Sequence, residues 1–118
     1  MIYGPTGYMS TTVVSSDANF LPPDLNVTYP FQEGQSDADW AKTGKHTLSY
    51  SGPYVVKDEN GRSGKVVHGP LTVAHVPGMI GTLLERSFAV FENGDGKFLK
   101  IVQESGTSRS ELWWEKLD

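Results

Sequence analysis

Two histidines, two tyrosines and one arginine carry most of the chemistry this sequence can offer. His68 and His75 lie in the stretch KVVHGPLTVAHV, where Val66 and His68 share a parity. If Gly69-Pro70 inserts one bulge residue, the same face continues through Leu71, Val73 and His75. An imidazole titrates near neutral pH. A histidine on an apolar face is therefore either a hydrogen-bonded core or rim residue, or a group that orients or protonates a bound molecule. Tyr50 and Tyr54 fall on the inward parity of the preceding strand, and each supplies apolar bulk with a hydroxyl that seeks a partner when buried. Core packing and ligand contact are both open to them. Arg86 shares its parity with Leu84, Phe88 and Val90. A guanidinium in such company needs a carboxylate or a ligand oxygen, and Glu85, pointing the other way, is a poor partner. The catalytic candidates are His68 and His75 as acid or base and Arg86 as an anion anchor. Tyr50 and Tyr54 are the hydrogen-bond donors beside them.

Other chemistries are excluded more easily. The chain has 3 histidines in separate contexts, without H-x-H or H-x₃-H spacing, so no metal site is expected. With 0 cysteines there is no disulfide, no thiolate nucleophile and no zinc-thiolate site. No Gly-rich phosphate loop follows a strand, and no G-x-S-x-G elbow occurs, so no cofactor is expected. The net charge of −4 comes without a basic cluster, which argues against nucleic acid and against anionic membranes. No apolar run approaches the ~18–20 residues of a membrane span, and the first residues lack the basic and apolar regions of a signal peptide. A cytoplasmic protein is the expectation.

The elements that must position these residues read as mainly β. One domain is expected over residues 1–118, and 13 glycines with 7 prolines favour turns over long helices. The organising stretch is residues 36–57, SDADWAKTGKHTLSYSGPYVVK. Ser36 can cap a short helix, with Asp37 and Asp39 complementing its dipole and Gly44 placed to end it. Leu48, Tyr50, Tyr54 and Val56 then alternate with polar residues as in a half-buried strand, and Gly52-Pro53 suggests a bulge or bend within it. Ahead of the helix, residues 8–14 form a strand, and residues 15–35 form a long loop whose spaced apolar residues suit a barrel mouth. Downstream, strands are expected over residues 65–76, 82–92, 97–104 and 110–117, with a hairpin signal at Asn93-Gly94-Asp95-Gly96. The total is about six strands and one short helix. Trp40 on that helix either plugs one end of the barrel or forms part of a pocket lid. Trp114 joins Leu112 on one face of the last strand, and Trp113 takes the other.

Several of these segments together resemble the microbial lipocalin-like domain family. They are Tyr8-Met9-Ser10 after Gly7, the Trp40-bearing helix, Tyr50-Ser51-Gly52-x-Tyr54, the Pro77-Gly78-Met79-Ile80-Gly81 turn, and the closing residues 112–116. The last segment carries Lys116 where the family pattern has arginine. The resemblance implies a small antiparallel lipocalin-like β-barrel holding a small apolar molecule, and Arg86 aligns with an arginine of the pattern. A family strand beginning G-T-W, and most of a second strand, have no counterpart before Gly4. An open barrel edge is therefore expected, with a homodimer covering it and Trp113 beside it.

Family members implied to act as cofactor-independent cyclases or isomerases on polyketide or terpenoid intermediates suggest one function. A non-catalytic carrier, or an interaction module with a filled barrel, are the alternatives. Tyr50, Tyr54, Trp40, Leu84, Phe88 and Trp114 are the expected ligand contacts.

Overall fold

The computed structural model describes residues 1–117. A single antiparallel sheet curls into a half-barrel, with strands in the order β1-β2-β3-β4-β6-β7-β8 and β5 attached to β3. The strands are β1 (Ile2–Tyr3), β2 (Tyr8–Val14), β3 (Thr47–Asn60), β4 (Ser63–His68), β5 (Val73–Ala74), β6 (Leu84–Asn93), β7 (Gly96–Ser105) and β8 (Ser108–Glu115). One helix, α1 (Asp37–Lys45), precedes β3. Ser36 caps it as its type dictates, its hydroxyl accepting the Asp39 N–H at 3.1 Å. Gly44 lies inside the last turn instead of ending it, and His46 is the C-cap.

Alternation carries through the sheet. Paired positions Met9–Gly52, Thr11–Tyr50, Tyr54–His68, Val56–Val66, Val66–Arg86, Phe88–Ile101 and Leu99–Trp114 all lie on the concave face. The expected bulge at Gly52-Pro53 does not occur. β3 keeps its parity there and changes neighbours, pairing with β2 through Pro53 and with β4 from Tyr54, while the register shift falls between Lys57 and Asn60. The count rises from six strands because residues 2–3 pair with β2 as β1, and because the expected strand over residues 65–76 is broken into β4 and β5.

That break has a packing reason. After β4 the chain crosses over Gly52 on the concave side while still following the β3 edge, the Gly69 and Thr72 N–H groups donating to the Pro53 and Ser51 carbonyls. A Cβ on Gly52 would sit 3.0 Å from the Pro70 carbonyl oxygen and 3.1 Å from the Leu71 Cα. Gly69, at φ +120°, makes the entry to this crossing, where any side chain would run into the Thr82 carbonyl oxygen. Leu71 thereby lands on Met9 and Tyr50 in the core, with Tyr3, Tyr54 and Leu84 packed around them. The register against β3 shifts here by two residues, where the sequence pattern assumed one. Ala74, not Val73, opposes Tyr50, and Val73 opposes Ser51 on the outer face.

Among the described residues no hydrogen-bonded pairing joins β1 to β8, so the two ends of the sheet leave a seam. Both edges are blunted. β1 has two residues, and β8 carries Arg109 and Glu111, which pair with each other at 2.8 Å, Arg109 also reaching Glu104.

Candidate functional site

His68 sits at the centre of the concave face, 1% exposed, held at both ring nitrogens by tyrosines. The Tyr3 hydroxyl is 2.6 Å from Nε2 and the Tyr50 hydroxyl 3.2 Å from Nδ1. A neutral imidazole has one N–H, so the two contacts differ in kind. At 2.6 Å an O–H donor fits and an N–H donor does not, whereas 3.2 Å suits N–H. We therefore assign Tyr3 as donor to Nε2 and Nδ1–H as donor to the Tyr50 oxygen. Tyr50 keeps its own hydroxyl hydrogen for another acceptor.

The electrostatics fix these states. Burial, assisted by the nearby Arg86 charge, pushes the His68 pKa down to about 4. Burial also raises Tyr3 above the usual phenol range, with Tyr50 and Tyr54 adding to the effect. Tyr50 is raised by burial, and Arg86 opposes the shift. Near pH 7 the imidazole is neutral and both phenols keep their protons.

Three adjoining spaces line the concave face. The first, about 60 Å³, lies across the seam between β2–β3 and β6–β8 and is walled by Thr11, Tyr50, His68, Arg86, Leu112 and Trp114, among others. A second, about 190 Å³, is apolar and bounded by Tyr54, Val56, Val66, Phe88, Val90 and Leu99, with Tyr3 and Ile101 at its borders. A third, about 290 Å³, runs from Met1 and Tyr3 across the seam to Leu99 and Trp114. Shared walls join them: Ile101 for the first two, Met1 and Trp114 for the first and third.

Arg86 is the one cationic side chain on the walls of the first space. Its Nη1 donates to the Glu85 carbonyl at 2.9 Å. Glu85 itself points outward, pairing with Lys57 at 2.7 Å, and among the described residues no ion pair includes Arg86. Thr11 and Trp114 belong to the same walls, and the Thr11 Oγ1 and the Trp114 indole N–H are buried without a hydrogen-bond partner.

The structure thus gathers His68, Arg86, Tyr50 and Trp114 around one space and Tyr54 and Phe88 around the next. Tyr54 spends its hydroxyl on the Gly4 carbonyl at 3.0 Å. Leu84 packs against the core cluster and is not on these walls. Two expectations are corrected. His75 is exposed on the outer face, where its Nδ1 accepts the Ser49 N–H at 3.1 Å, because the register against β3 shifts by two residues after His68, not by one, and the even-numbered residues stay inward. Trp40 packs on the long loop, with its indole N–H donating to Gln35 at 3.2 Å and its ring tilted against Phe31, and it walls none of the three spaces. Tyr3 and Thr11 were not among the sequence candidates. Tyr3 lies ahead of the first expected strand, and the inward parity of Thr11, two residues after Met9, was the available signal.

The family model for the lipocalin-like domain matches residues 1–117, which is nearly the whole chain. The protein belongs to the lipocalin-like domain family. No curated protein and no solved structure is significantly similar to it. Barrels of this architecture hold small molecules where inward side chains leave room, and among the described residues no helix is long and apolar enough to cross a membrane.

Proposed function

We propose that this lipocalin-like protein binds a small, mostly apolar molecule along its concave face, with His68 serving to fix the site and not to move protons. The carrying observation is the Tyr3–His68–Tyr50 chain beside the apolar space of Val56, Val66, Phe88, Val90 and Leu99. Both imidazole nitrogens are taken, and a base with a pKa pushed down to about 4 is poorly matched to neutral pH. Its value lies in holding Tyr50 in one orientation.

A second reading has one observation in its favour. The spare Tyr50 hydroxyl and the Arg86 guanidinium line the same space. Two such donors would stabilise an oxyanion developing on a confined substrate, and that is how a cofactor-independent isomerase or cyclase would operate here. A second copy of the chain over the β8 edge belongs to the same proposal, supported by Trp113, which is outward-facing and 56% exposed.

Native mass spectrometry of the purified protein tests all three. The expected spectrum shows twice the chain mass with an apolar adduct that is recovered chemically unchanged after incubation. Conversion of the adduct would favour the isomerase reading. A single chain mass would remove the dimer. A bare protein that also fails to take up an apolar fluorophore would overturn the binding proposal.

A further inference from the structure

We infer that the molecule held on the concave face carries a single carboxylate, seated on Arg86, Thr11 and Trp114, with its apolar body lying along Val66, Phe88, Val90 and Leu99. This rests on the binding reading above and adds the chemistry of the head group. The walls of the seam-spanning space include one cationic side chain and no aspartate or glutamate. Arg86 uses one donor on a backbone carbonyl, and a guanidinium has five. Thr11 Oγ1, in a residue 4% exposed, and the Trp114 N–H are both buried without partners. Buried donors left unmade are costly, so an acceptor-rich group is what this set lacks.

Three alternatives fit less well. A neutral hydroxyl or ketone would satisfy a donor but leave the guanidinium charge uncompensated. A phosphate monoester brings close to two negative charges and calls for more than one cation. A planar carboxylate matches the guanidinium fork and leaves its second oxygen lone pairs for Thr11 and Trp114. At about 60 Å³ this space is the smallest of the three. It suits a head group alone, and the body must extend into the larger apolar space alongside. The Arg86 charge is felt at both Tyr50 and His68, which places it at the polar end of this arrangement.

The test is a titration with a fluorescent conjugated polyenoic fatty acid and with its methyl ester, on the wild-type protein and on Arg86→Gln and Thr11→Val. The acid is expected to bind about tenfold to a hundredfold more tightly than the ester. Arg86→Gln should erase that difference by weakening the acid alone, and Thr11→Val should narrow it by a few fold. Equal affinity of acid and ester for the wild type would overturn the carboxylate while leaving the binding reading standing. Binding of neither would overturn both. Should Arg86→Gln fail to fold, the wild-type comparison still decides.

Discussion

The two flanks of the curled sheet are built to different standards. On the flank of β2, β3 and β5, the crossing over Gly52 drives Leu71 into Met9 and Tyr50, and the buried residues concentrate there. On the flank of β6, β7 and β8, Ile101 is the one buried apolar side chain, and Leu112 stays 42% exposed although it faces inward. The outer surface of that second flank holds Phe91 and Trp113, 5.3 Å apart, with Lys100 over both rings. The inward side chains on this flank have few partners of their own, so a guest molecule would supply their missing contacts. The difference separates a densely packed part from a sparsely packed one. The radius of gyration agrees, at 16.7 Å against about 13–14 Å for a compact chain of this length.

Substitutions can break this contrast or sharpen it. The largest effect is expected at Gly69, where φ is +120° and the Thr82 carbonyl leaves no room for a side chain. Gly69→Ala should cost at least about 3 kcal/mol in urea unfolding. A near-neutral result would mean the crossing is not needed to set the first flank. Next comes a matched pair of leucines. Leu71→Ala should cost about 2–5 kcal/mol as a buried truncation. Leu112→Ala should cost less than about 1 kcal/mol in the ligand-free protein. Equal losses would erase the distinction between the flanks.

A smaller effect should appear with pH. The folded-state pKa of His68 lies near 4, below the unfolded value of 6.5. The unfolded chain therefore binds more protons in this interval, and stability falls as pH drops from about 6.5 to about 4, by at most about 3 kcal/mol. Above that window the contribution is fully present. Unfolding midpoints measured across it should flatten in His68→Phe. An unchanged slope in that variant would show that the imidazole is not the group being charged.

Much of this fold was legible in the sequence. The alternation of Leu48, Tyr50, Tyr54 and Val56 survives in β3, and the cap at Ser36 and the hairpin at Gly94-Asp95 stand where their residue types place them. The inward set of β6, including Arg86 and Phe88, also follows from period two alone. What could not be read was the size of the interruption after β4. Gly69-Pro70 suggests one inserted residue, and the register against β3 shifts by two. That difference removed His75 from the site while keeping His68. Tyr3 was hidden for another reason: a two-residue strand carries too few positions to show a period, and its hydrogen bond to His68 spans 65 positions of sequence.

The seam between β1 and β8 sets how the molecule deforms. A fully closed cylinder can widen only by stretching or breaking its ladder of backbone hydrogen bonds. A cylinder slit along one side opens like a cuff, its edges splaying by small changes in twist distributed over many residues. Guests of different girth then cost bending instead of bond rupture, and no loop has to lift to admit them. Such a cuff discriminates poorly by width, which leaves selection to whatever grips the guest at one fixed point, the role proposed above for Arg86.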